Sequence, residues 1–162
     1  MAFPCRHEKE ERLALTDPMK MIILDHLPCQ NNQLGLCTGA TIQGVSEFGH
    51  TLSEYVHPED LESGSVDAIF SSQLPRALET VELCFGEFDL PKVVDPRIRA
   101  FDYGMHQSSP MPVIVELQMD HISTPFEDGE SFNSFLLNPR AGLTQLSLPS
   151  AANRTFFSEE RQ

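Results

Sequence analysis

The sequence predicts an α/β fold with a mostly parallel sheet. Two observations carry this. Three short apolar runs, at residues 20–24, 66–70 and 92–94, have the β-branched character of buried parallel strands. Between and after them lie segments with helical spacing of apolar residues, so the order is strand, helix, strand, helix, strand, helix. A length of 162 residues with 40% hydrophobic residues suits one domain with a core of its own. We divide the chain into a polar extension at 1–18, an α/β domain at 19–140, and a tail without sustained periodicity at 141–162.

The elements follow in order. The run Lys20-Met21-Ile22-Ile23-Leu24 leads into Asp25-His26-Leu27-Pro28, where Pro28 stops regular structure. Residues 29–44, rich in Asn, Gln, Gly and Thr, read as a loop. Residues 46–56 predict a helix capped by Ser46, with Phe48, Leu52, Tyr55 and Val56 on one face. The second strand at 66–70 is followed by Ser71-Ser72. Residues 74–85 predict an amphipathic helix on the spacing of Leu74, Ala77, Leu78, Val81 and Phe85, with Pro75 in its first turn and Gly86 at its end. The third strand at 92–94 closes at Asp95-Pro96. Residues 98–103 read as extended, 113–119 and 131–137 as helices, and Glu127-Asp128-Gly129 as a turn.

The charge narrows the function classes. With 24 acidic and 11 basic residues the chain carries −13, which argues against a nucleic-acid partner because phosphate affinity is built from Lys and Arg. The longest apolar run, residues 21–24, is far below the ~18 residues of a membrane helix, and the N-terminal stretch lacks the apolar segment of a secretion signal. Four Cys without such a signal suit reduced thiols, and so the cytoplasm. The oligomeric state is not legible. The charge is also uneven: residues 21–91 hold eleven acidic side chains and a single basic one, Arg76. Such an Arg either pairs with a surface carboxylate or is kept to bind an anion.

In parallel sheets ligands bind beyond the carboxyl ends of the strands. His26 after the first strand and Ser71-Ser72 leading to Arg76 after the second both stand there. A guanidinium fork and a helix N-terminus suit a phosphate group, and a neutral imidazole can attack phosphorus. Taken alone, a His at a strand end is more often a hydrogen-bonded structural residue. His26-x-x-Cys29 with Cys37 is a poor zinc pattern, because no second close pair completes a ligand set. Cys84 reads as core, His50, His57 and His121 as surface, and Phe101 and Tyr103 as packing at the pocket wall.

Several ordered motifs give the sequence a family resemblance. Asp67-Ala68-Ile69-Phe70-Ser71-Ser72-Gln73-Leu74-Pro75-Arg76-Ala77-Leu78-Glu79-Thr80 fits an Asp-x-x-x-Ser-Ser-x-x-x-Arg-Ala-x-x-Thr signature. Asn32 stands six after His26, Thr38-Gly39 follows on the loop, residues 95–104 resemble a Pro-Arg-Leu-x-Glu-Phe-Asp-Tyr-Gly segment, and Gly129-Glu130-Ser131 resembles a Gly-Glu-Ser element. Over about residues 19–137 the chain resembles the histidine phosphatase superfamily, the phosphoglycerate-mutase-like enzymes. The resemblance implies a three-layer α/β fold and phosphomonoester hydrolysis through a phosphohistidine. It implies His26 as nucleophile, Arg76, Asn32 and Thr38 as phosphate-binding residues, a small phosphorylated molecule or phosphate as ligand, and neither metal nor organic cofactor.

Three departures touch the chemistry. The family's Arg before the nucleophile is Asp25, which repels an anion instead of attracting it. At ~4 Å and an effective dielectric of ~20 one such interaction is about 4 kcal/mol. The position of the family's proton donor holds Ala100, and loss of a general acid costs ~10²–10⁴-fold in rate. Glu79, Asp102 or a carboxylate near residue 130 are the candidates to replace it. Finally, no His follows Ser131, so the last strand, with its Ser/Thr-His-Gly-Gly ending, is expected to be missing and the fold incomplete at its C-terminus. Two functions compete: a histidine-type phosphatase with impaired activity, and a non-catalytic pseudo-phosphatase that binds a ligand or protein, or a decayed gene product.

Overall fold

The computed structural model describes residues 20–56, 66–143 and 154–158. Four strands form one sheet: β1 (Lys20–Leu24), β2 (Ala68–Ser71), β3 (Lys92–Val94) and β4 (Arg154–Ser158). Their order is β1-β4-β2-β3 and every pair is parallel. The helices are α1 (Gln30–Gln33), α2 (Glu47–Ser53), α3 (Pro75–Phe85), α4 (Met111–Leu117) and α5 (Phe132–Leu143), with 3₁₀ turns at Pro96–Ile98 and Gly104–His106.

The expected gap in the sheet is filled. β4 lies between β1 and β2, with Leu24 opposite Ser158 and Ile69 opposite Phe156. The expectation of a missing last strand is corrected here, since α5 runs to Leu143 and β4 follows. The physical reason is that an inner parallel strand is covered on both faces and has no need of polar–apolar alternation. Lack of alternation in Arg-Thr-Phe-Phe-Ser was therefore no sign against a strand. The predicted extension at 1–18 and His57 lie outside the described residues.

β2 is buried throughout, and its two faces meet different partners. Ile69 packs with Val66, Val81 and Phe85 of the α3 side, joined by Ile22, Leu24 and Cys84. Ala68 and Phe70 pack on the opposite face with Ile98. The turn carrying Ile98 in turn packs against α5. Helical structure thus covers both sides of the sheet in three layers. Fully burying a Phe or Ile contributes ~1.5–3 kcal/mol over leaving it exposed. β3 forms an exposed edge. The Lys92 ammonium donates at 3.2 Å to the Gly86 and Phe88 carbonyls at the end of α3, the negative end of the helix dipole.

A second core lies beside the sheet. Cys37, Phe101, Tyr103, Ile114 and Phe126 are buried together, with Phe132 and Phe135 against them. Phe101 stacks on Phe132 at 4.5 Å and meets Phe126 edge-on at 5.8 Å. His121, expected at the surface, is half-buried and stacks on Phe126 at 3.7 Å.

Local details follow the chemistry of their residues. Ser46 caps α2 by accepting from the Gly49 amide at 3.2 Å. The predicted apolar face of that helix is not what packs: Phe48 and Tyr55 are exposed, and the buried residue is Gly49. A Cβ at Gly49 would sit 2.5 Å from the Pro28 carbonyl, so the helix approaches through its backbone. The loop expected at 29–44 contains α1, and of the segment read as extended, Ile98 ends the 3₁₀ turn while residues 99–103 have no regular structure.

Candidate active site

His26 follows β1 at the carboxyl end of the sheet, and Arg76 stands in the first turn of α3, after β2. Thr80 ties the two elements together. Its hydroxyl accepts from the Leu27 amide at 2.8 Å and donates to the Arg76 carbonyl at 2.7 Å. The Arg-Ala-x-x-Thr spacing thus has a structural meaning: one helical turn below Arg76, Thr80 holds the backbone next to His26.

The imidazole is held in one orientation. Nδ1–H donates to the Leu27 carbonyl at 2.7 Å, and Nε2 accepts from the Arg76 Nε–H at 3.2 Å. These partners assign the proton to Nδ1 and the lone pair to Nε2. The His26 pKa lies below the ordinary value. Burial is the main cause, aided by the Arg76 charge and opposed by the Leu27 carbonyl and by Asp25. A neutral ring with Nε2 unprotonated is the form that can act as a nucleophile.

Arg76 is completely buried. Besides His26 its guanidinium donates to the Thr41 carbonyl at 2.9 Å and to the Gly39 carbonyl. Gly39 has a φ of +48°, and a Cβ there would lie 2.9 Å from both the Phe101 carbonyl and the Tyr103 ring. Glycine is therefore the residue that lets this loop bring its carbonyls to the guanidinium.

A cavity of about 200 Å³ opens at this point, lined by His26, Asn32, Thr38 and Arg76 together with Gly35–Gly39, Ala100 and Met111. All four sequence-predicted residues reach it. Asn32 Oδ1 accepts from the Cys29 amide and thiol, each at 2.9 Å, and the Thr38 hydroxyl lies 3.5 Å from Cys29 Sγ. Sequence reasoning missed Leu36, Cys37 and Met111 in the wall, and the Gly39 and Thr41 carbonyls that anchor Arg76. It also passed over Asn31, buried next to Asn32, whose amide nitrogen donates to the Cys37 carbonyl at 2.8 Å and the Ser108 hydroxyl at 2.9 Å. Burial pushes the Cys37 thiol up to about 11, so it stays neutral. Among the described residues no three His, Cys, Asp or Glu side chains come together in a way that could hold a metal ion. No described helix is long and apolar enough to cross a membrane.

The carboxylates named as replacements for the missing acid are held elsewhere. Glu130 forms a two-pronged pair with Arg99 at 2.8 and 2.9 Å and accepts from the Asp102 amide. Asp102 accepts from the Gly104 amide and from Gln107. Glu79 accepts from the Val45 amide at 2.6 Å and lines a larger cavity of about 380 Å³ between α3 and β3, which contains neither His26 nor Arg76. The four residues that follow β4 in the sequence are Glu-Glu-Arg-Gln, without a His.

Residues 35–146, more than half of the chain, match the family model described as histidine phosphatase superfamily (branch 1). A comparison with curated protein sequences returns no match. Among solved structures the chain is similar to a putative alpha-ribazole-5'-P phosphatase from Escherichia coli, at 19% identity and a TM-score of 0.75 over 90% of this chain and 75% of that one. It is similar to the alpha-ribazole phosphatase of Shigella flexneri, at 18% identity and a TM-score of 0.74 over 88% and 74% of the two chains. A third, from a Mycobacterium tuberculosis open reading frame, has 20% identity and a TM-score of 0.70 over 89% and 75%. At these identities the structures show a shared fold, that of the phosphoglycerate-mutase-like phosphatases. With the family model and the fold in agreement, the chain belongs to the histidine phosphatase superfamily.

Proposed function

We propose that the cavity binds the phosphoryl group of a small phosphate monoester, with His26 as phosphoryl acceptor and Arg76, Asn32 and Thr38 as binding residues, and that hydrolysis of ordinary esters is strongly impaired. The observation that carries this reading is the His26–Arg76 pair. The ring is locked with Nδ1–H on the Leu27 carbonyl and Nε2 towards the cavity's guanidinium. Impairment is supported by Ala100 in the cavity wall, where no described carboxylate stands, and by Asp25 beside His26. A missing proton donor alone slows an alkyl ester by ~10²–10⁴-fold. The unpaired thiols of Cys29, Cys37 and Cys84 suit a reducing compartment, and we place the protein in the cytoplasm on that ground.

The test is phosphate binding by calorimetry together with acid-labile labelling of His26 by a phosphoryl donor. Binding in wild type, and a label that disappears in His26→Ala, is the expected result. A wild type that neither binds phosphate nor takes a label overturns the reading and leaves a protein that keeps the fold without the site.

A further inference from the structure

The cavity separates two requirements of phosphoryl transfer that usually come together. A nucleophile and a guanidinium are in place, but the leaving group must depart past a wall made of Leu36, Cys37, Ala100 and Met111. None of these can deliver a proton at neutral pH: three are hydrocarbon or thioether, and the Cys37 thiol is held at about 11. The other polar groups of the lining are no better. Arg76 keeps its proton, the His26 Nδ1–H is committed to the Leu27 carbonyl, and an amide and a hydroxyl, Asn32 and Thr38, are not acids in this range. Glu130, Asp102 and Glu79 are each engaged away from the cavity.

We infer that the site is suited to phosphoryl donors whose leaving group departs as a stable anion without protonation, and above all to small acyl phosphates. The inference rests on His26 being the phosphoryl acceptor, as proposed above. In the first step the Nε2 lone pair forms an N–P bond while the P–O bond to the acyl oxygen breaks, and that electron pair leaves on the departing carboxylate. The proton on Nδ1 stays in place, so the phosphorylated ring is cationic. In the second step water attacks phosphorus, the N–P bond breaks with its pair returning to Nε2, and the proton of the water passes to a phosphate oxygen or to solvent. The products are a carboxylate and inorganic phosphate, and neither step asks the protein for an acid. A carboxylate leaving group has a conjugate-acid pKa of ~4 and a phenol one of ~10, so the two sample opposite ends of the demand for a proton. The size of the cavity, about 200 Å³, and its apolar wall fit a short acyl chain beside the phosphoryl group.

The experiment compares the full chain and His26→Ala on acetyl phosphate, 4-nitrophenyl phosphate, phenyl phosphate and glycerol phosphate, reading the His26-dependent rate. The expected result is a drop of at least ~100-fold from the first donor to the last two, the size of an absent general acid. Ala100→Glu, with its folding checked by thermal melting, should raise the slow donors relative to acetyl phosphate and so flatten the series; the wild-type series decides on its own if that variant does not fold. Equal rates along the series overturn the inference while leaving His26 as acceptor. No His26-dependent turnover of any donor overturns it too, and if phosphate also fails to bind, the underlying reading falls with it.

Discussion

The two walls of the cavity are built by different physics. The wall that carries charge, His26 and Arg76, is fixed by hydrogen bonds between groups far apart in sequence: His26 to Arg76, Arg76 to Gly39 and Thr41, and Thr80 to Leu27. The facing wall, from Leu36 through Ala100 to Met111, is fixed by packing on the aromatic cluster of Phe101, Tyr103 and Phe126. The difference sets a wall held by polar pairing against one held by packing. The polar wall is held by hydrogen bonds between buried groups, which are costly to disturb. The apolar wall needs only volume and shape, and Ala100 is buried in it.

The sharpest way to break the first wall is Arg76→Ala. It deprives two backbone carbonyls and the His26 Nε2 of a buried donor, which should lower stability by about 2–5 kcal/mol and abolish phosphate binding. Denaturant melts and calorimetry measure the two effects. Arg76→Lys keeps the charge but not the fork of donors, so binding should fall there as well. Phosphate binding that survives in Arg76→Ala would mean that the anion is held elsewhere.

The second wall breaks at Gly104. Its φ is +53°, and an added Cβ would lie 1.9 Å from the Glu127 carbonyl and 2.5 Å from the Gly129 amide. Gly104→Ala should cost about 2–4 kcal/mol through strain and displacement of the 127–129 turn. Phosphate affinity per folded molecule should stay unchanged, because none of the phosphate-binding groups is touched. Loss of binding along with stability would show that the two walls are coupled.

Legibility in the sequence follows the same division. β1, β2, β3 and α3 were readable from short-range pattern, and His26 and Arg76 from their place at the ends of strands. The Ser46 cap was readable from residue type. β4 was not, because an inner parallel strand need not alternate, and its partners β1 and β2 lie over eighty residues away. The Gly39 and Thr41 carbonyls were not readable either: any residue has a carbonyl, and only the fold shows which ones converge on Arg76. Leu36 and Met111 meet through the packing of a loop and a helix, for which no local periodicity exists.

The smallest effect concerns the charge beside the first wall. Asp25 raises the His26 pKa, while burial and Arg76 lower it further than Asp25 and Leu27 restore it. Removing that charge in Asp25→Asn should therefore move the His26 pKa down again, as read from the ring signals in an NMR titration. The sign for stability follows. In the unfolded chain the ring takes up a proton near its ordinary value of 6.5, and in the fold it does so only at lower pH. The unfolded state then binds more protons in that window, so this contribution is complete above 6.5 and is lost as pH falls through the folded value. Asp25→Asn widens the window, and its melting temperature should drop more steeply than that of wild type on going from about pH 7 to about pH 5. The substitution also takes a negative charge away from beside His26, so phosphate should bind more tightly at neutral pH. A raised His26 pKa in Asp25→Asn would show that Asp25 acts on the ring through something other than its charge.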